Sequence, residues 1–139
     1  MKRILITSDG SPSSAEALAL GLELAQEQAT PVTLVHVIPK NDLQRGPAFE
    51  HPEQDEVLRE AAAAARKIGV EPELKLLSGD VADEIAWLAE HIEADLVFIG
   101  SRGLGKLQGT LLGSVSRAVL AKCTRPVVVV RDSQVAAAV

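Results

Sequence analysis

Five short apolar runs limit what this chain can fold into more than any other feature. They are residues 3–7 (Arg-Ile-Leu-Ile-Thr), 31–38 (Pro-Val-Thr-Leu-Val-His-Val-Ile), 73–77, 95–99 (Asp-Leu-Val-Phe-Ile) and 126–130 (proline and four valines). The run at 73–77 has the weakest pattern. The other four lack the clean polar–apolar alternation of a strand with one wet face, so they read as strands buried on both sides. Between them the apolar residues recur at helical spacing. Ala15, Leu18, Ala19, Leu22 and Ala25 make one stripe, and residues 53–68 hold the alanine run 61–65. Val81, Ile85, Leu88, Ala89 and Ile92 make another, and from Ser114 onward Val115, Ala118, Val119 and Lys122 continue the pattern. Strand and helix therefore alternate. The expectation is a single doubly wound α/β domain: five-stranded parallel sheet, helices on both faces. It covers residues 1–131, with a frayed tail at 132–139.

Local signals place the joints. Ser11-Pro12 suits a helix N-cap with proline in the first turn, and Ser13 with Glu16 offers an alternative capping box. Gly69 after Lys67 is a helix stop, and Asp80, Asp83 and Glu84 fit capping and the helix dipole. Residues 39–52 are too long and polar for a tight connection and read as a loop or lid.

Composition removes several functions. The 139 residues suffice to bury one core without a disulfide or metal staple. Aromatics are 2% and the formal net charge is −5, which argues against a stacking or basic nucleic-acid surface. One cysteine, Cys123, excludes an intrachain disulfide and a cysteine-rich metal site, and its spacing from Val119 turns it toward the core. No run approaches the roughly 18 apolar residues of a membrane span. Residues 1–30 show no signal-peptide pattern, so the expected location is cytoplasmic. His36 reads as a hydrogen-bonded core histidine. His51 and His91 show no metal-ligand spacing.

Open parallel sheets bind ligands beyond the carboxyl ends of their strands. Three polar or glycine-rich segments follow such ends: Ser8–Ser11, the segment after Val37, and Gly100–Ser116. The last holds five glycines beyond residue 101 or at its start (Gly100, Gly103, Gly105, Gly109, Gly113), with Arg102, Lys106, Ser114 and Ser116. Glycines let backbone N–H groups converge on an anion, and a helix opening at Gly113-Ser114 adds its own free N–H groups. Gly100 and Gly105-Lys106 have P-loop spacing, but Leu107 stands where a Mg²⁺-binding hydroxyl belongs, and Gly109 and Gly113 delay the helix. A P-loop is therefore rejected.

The spacing Gly100-x2-Gly103-x9-Gly113-Ser114 resembles the ATP-binding motif of the universal stress protein family. The resemblance extends from Ile4-Leu5-Ile6-Thr7-x-Asp9-Gly10-Ser11 through His36-Val37 to Arg125-Pro126 and the valines 127–130. It implies a Rossmann-like fold and a bound ATP. Asp9 would meet the ribose or adenosine side, and Thr7 and Val37 would flank adenine. Gly100, Arg102, Gly103, Gly113, Ser114 and Ser116 would hold the triphosphate, and Ser101 and Val115 complete the implied contact set. Mg²⁺ or Mn²⁺ would bridge phosphates, and Val127–Val130 would pair with its copy in a homodimer.

The residues suggest no catalytic base near the phosphates, so at most slow hydrolysis is expected of a nucleotide-dependent stress or signalling module. A weak ATPase or phosphotransferase and a ligand-free dimerising domain remain the alternatives.

Overall fold

A computed structural model describes residues 1–39, 49–102 and 112–132. The chain runs β1 (Ile4–Thr7), α1 (Pro12–Gln28), β2 (Val32–Pro39), a 3₁₀ turn (Pro52–Gln54), α2 (Glu56–Lys67), β3 (Glu73–Gly79), α3 (Val81–His91), β4 (Leu96–Gly100), α4 (Ser114–Lys122) and β5 (Val127–Val130). All strand pairs are parallel, in the order β3-β2-β1-β4-β5. The expected doubly wound sheet is what forms.

Both sheet faces are covered, which is why the runs do not alternate. Ile4, Ile6, Leu34 and Phe98 face α1 and α2, whose Ala17, Leu22, Leu58 and Ala61 complete one core. Leu5, Val35, Val97 and Ile99 face α3 and α4, with Ile85, Leu88 and Val119 completing the other. Each fully buried branched side chain contributes about 1.5–3 kcal/mol through the apolar area it removes from water. The chain changes face between α2 and α3. There it recrosses the sheet from β3 at one edge to β4 beside β1, so strand order reverses at β1. Chains leaving β1 and β4 depart in opposite directions, and that divergence opens a crevice at their carboxyl ends.

The α1 stripe is rotated from its expected position. Ala17, Gly21, Leu22 and Ala25 are buried, while Ala15 and Ala19 are exposed. Gly21 explains the rotation: a Cβ there would stand 2.7 Å from Ile6 Cδ1, so glycine is what lets α1 lie close on β1. The segment expected as one helix over 53–68 is split. Asp55 accepts a hydrogen bond from Leu58 N at 3.0 Å and caps α2, leaving Pro52–Gln54 as a separate turn. Gly69 at φ 82° ends α2 as read. The lid reading falls mainly on residues 40–48, which lie outside the described residues, as does tail segment 133–139. Asp132 itself is buried.

Candidate functional site

Ser11 is the N-cap of α1, accepting from Ser14 N at 3.3 Å, with Pro12 in the first turn. The alternative box at Ser13 is not used, because Ser13 points elsewhere: its hydroxyl donates to the carbonyl of Arg102 and accepts from Arg102 N at 3.2 Å. Asp9 sits just before this helix start. Its Oδ1 accepts from Ser11 N at 2.8 Å, an Asx turn that fixes the carboxylate at the end of β1.

Across the crevice, Gly113 caps α4 with φ −77° and ψ 171°, an extended conformation open to any residue. Gly113 therefore carries no backbone strain, unlike a glycine chosen for positive φ. Its N–H donates to Ser101 O at 2.6 Å. Ser116 is buried, and its Oγ donates to Ser101 O at 2.8 Å and Gly113 O at 3.0 Å. Ser101, at the end of β4, is thus tied to the start of α4.

These elements enclose a cleft of 870 Å³ at the carboxyl ends of β1, β2 and β4. That lies within the roughly 300–1,000 Å³ of small-molecule sites. Of the residues singled out from sequence, Thr7, Asp9, Val37, Gly100, Arg102, Gly113, Ser114, Val115 and Ser116 all line it. Ser101 does not; it is 2% exposed and serves through its backbone as the anchor just described. Gly103, Lys106 and the other glycines of the loop lie outside the described residues.

Gly100 has a packing reason for being glycine. A Cβ there would meet Ser13 Oγ, Ser13 C and Ser14 N, each at 2.6 Å. The end of β4 therefore touches the backbone of α1, which brings Arg102 to the cleft.

The strand β2 and helices α2 and α3 give the cleft apolar lining residues, Val35, Val37, Ile38, Val57, Val81 and Ile85. The charged lining follows β1 and β4 and lies on α4. Among the described lining residues Asp9 is the one carboxylate, and Arg102 and Arg117 are the guanidinium groups. Sequence reasoning missed Arg117, although its place three residues after Ser114 in a helix is a usable signal. It also missed Ser14, whereas Ser8 and Ser11 line the cleft from the segment Ser8–Ser11 already singled out. His36 lines the cleft too, and its Nδ1 lies 2.9 Å from Asp55 Oδ2, so it is hydrogen-bonded as read. No spacing rule links residues 36 and 55; only tertiary structure brings them together. Among the described residues no group of three His, Cys, Asp or Glu side chains is placed to hold a metal ion. No described helix is long and apolar enough to cross a membrane.

The fold agrees with comparisons to known proteins. A universal stress protein from Thermus aquaticus is 35% identical over 136 residues, covering 94% of this chain and 98% of its own. A universal stress protein solved in complex with cAMP superposes with TM-score 0.72 at 26% identity, covering 94% of this chain and 97% of that one. The Archaeoglobus fulgidus universal stress protein in complex with dAMP gives TM-score 0.71 at 25% identity, covering 94% and 98%. The family profile described as the universal stress protein family matches residues 1–131, and with the parallel five-stranded sheet it establishes that this chain belongs to that family.

Proposed function

We propose that the chain is a nucleotide-binding stress or signalling module that takes ATP in the 870 Å³ cleft. The observation that carries this reading is one cleft that combines an apolar lining from β2, α2 and α3, a carboxylate after β1, and two arginines, after β4 and on α4, with the N-terminus of α4. Adenine suits the apolar slot beside Val37 and Thr7. Ribose hydroxyls suit Asp9, whose Oδ1 is committed to Ser11 N while Oδ2 makes no hydrogen bond to a described residue. The phosphates suit Gly100, Arg102, Gly113, Ser114 and Ser116, with Ser101 beneath and Gly103 and Val115 completing the contact set. Relatives crystallised with cAMP and with dAMP support an adenine nucleotide as the ligand class.

A Mg²⁺ or Mn²⁺ ion fits only as a companion of the phosphates, since a single carboxylate lines the described cleft. The same shortage bears on hydrolysis. In this reading Asp9 meets the ribose and His36 belongs to β2 on the adenine side, so no described side chain is assigned to the phosphates as a base for an attacking water. At most slow hydrolysis follows. The homodimer is proposed through β5, which is an edge of the sheet.

The test is denaturing extraction of purified protein with mass analysis of the released nucleotide, then titration with ATP and Mg²⁺ if none is released. Bound ATP that survives purification supports a module of slow turnover. Protein that carries no nucleotide and fails to bind added ATP overturns the reading in favour of a ligand-free dimerising domain.

A further inference from the structure

Residues 101 and 102 are where β4 ends and the glycine-rich segment begins, and two sides of the molecule take up their backbone groups. On the α4 and β5 side, Ser101 N donates to Val130 O at 2.8 Å, and Ser101 O accepts from Gly113 N and Ser116 Oγ. On the α1 side, Ser13 Oγ donates to the Arg102 carbonyl and accepts from the Arg102 N–H at 3.2 Å. Ser11 Oγ donates to the same carbonyl at 3.3 Å. The approach is possible because Gly100 has no Cβ to strike Ser13.

Ser13 is 2% exposed and does not line the cleft, so it makes no ligand contact of its own. Capping of α1 falls to Ser11. The buried Ser13 hydroxyl is instead spent on both backbone groups of one residue, on the neighbouring strand end. The geometry points to Ser13 as a positioning residue for Arg102. Fixing both the N–H and the carbonyl of residue 102 from a helix fixes the direction in which its side chain leaves the backbone. The same turn of α1 fixes the Asp9 carboxylate through Ser11 N. One helix end thereby sets the spacing between the carboxylate and the Arg102 guanidinium of the cleft. This inference rests on the nucleotide-binding reading, in which Asp9 meets the ribose and Arg102 the phosphates.

The test compares ATP and adenosine affinities by calorimetry in wild type, Ser13→Ala, Arg102→Ala and the double variant. Ser13→Ala is expected to weaken ATP roughly five- to tenfold and adenosine by less than about twofold. In the Arg102→Ala background the same change is expected to alter ATP affinity by less than about twofold, because the group it positions is gone. A merely structural role weakens both ligands in the same ratio and acts equally in both backgrounds; either result overturns the proposal. If wild type binds both ligands and Ser13→Ala alters neither, the Ser13 role alone falls. If wild type binds neither, the nucleotide reading falls and takes this role with it. Should Ser13→Ala fail to fold, amide exchange in the wild type decides. A protected Arg102 amide supports the bond to Ser13, and exchange at the rate of an open loop amide overturns it.

Discussion

Gly100 and Gly113 look equivalent in the sequence motif, yet they are glycine for different reasons. Gly100 is crowded by α1, so Gly100→Ala must push α1 away from the sheet, at a cost of about 1–3 kcal/mol. A drop in thermal midpoint even without ligand checks this. Gly113 has a φ that valine also adopts. Gly113→Val is expected to cost only about 1 kcal/mol in helix capping while abolishing ATP binding, because its side chain occupies the phosphate position. A folded Gly113→Val protein that binds ATP like wild type would remove Gly113 from the phosphate site. Asp9 has two separable tasks. Asp9→Asn keeps an oxygen for the Ser11 N–H but loses the charge, so folding stability should hold while adenosine affinity falls by roughly 1–3 kcal/mol. Unchanged affinity in calorimetry would leave Asp9 as a turn residue only. The turn at Asp9 and the cap at Ser11 were legible from local composition. The contact that demands Gly100 was not, because its partners, Ser13 and Ser14, lie on the first helix, far away in the chain.

At the scale of elements, the caps were readable and the ties between elements were not. Asp55 caps α2 and holds His36 on β2 with the same oxygen. Asp55→Ala removes the cap and the partner of a half-buried imidazole, and urea unfolding should show a loss of about 1–3 kcal/mol. The α3–α4 face is held by two polar ties. A hydrogen bond from Thr124, then the Arg125 guanidinium, hold the Glu90 carboxyl below its ordinary 4.5. The hydrogen bond to Asp83, then the charges of Asp83 and Asp80, hold Lys122 above its ordinary 10.5. The signs differ. Glu90's contribution is present above 4.5 and disappears as pH falls through its lowered value. Lys122's is complete below 10.5 and disappears as pH rises through its raised value. Protection factors of α4 amides, corrected for intrinsic exchange at each pH, should therefore be largest between these limits, and Lys122→Met should abolish the alkaline loss. Protection in Lys122→Met that still collapses above 10.5 would place the alkaline transition elsewhere.

At the scale of the whole molecule, β5 stands at the sheet edge with its four valines half-buried between both cores. Its carbonyls at Pro126 and Val130 accept from Val97 N and Ser101 N of the neighbouring chain segment. By the alternation of strand backbone groups, Val127 and Val129 direct theirs outward. If β5 pairs with its copy, Val129→Pro removes an outward N–H without touching the β4 ladder. Sedimentation equilibrium is expected to show a folded monomer. A variant that stays dimeric would move the dimer contact to another face.

The sequence by itself determined the layers, the element order and the location of the crevice. Apolar runs of strand length admit only a doubly covered sheet, and turn chemistry is local. Tertiary structure alone decided which face of α1 is buried, through the contact of Gly21 with Ile6. It alone decided that His36 meets Asp55 and that Ser13 holds Arg102. Those pairs depend on how closely helices approach strands, and that distance is set by side-chain volume on both partners at once, a quantity no single stretch of sequence contains.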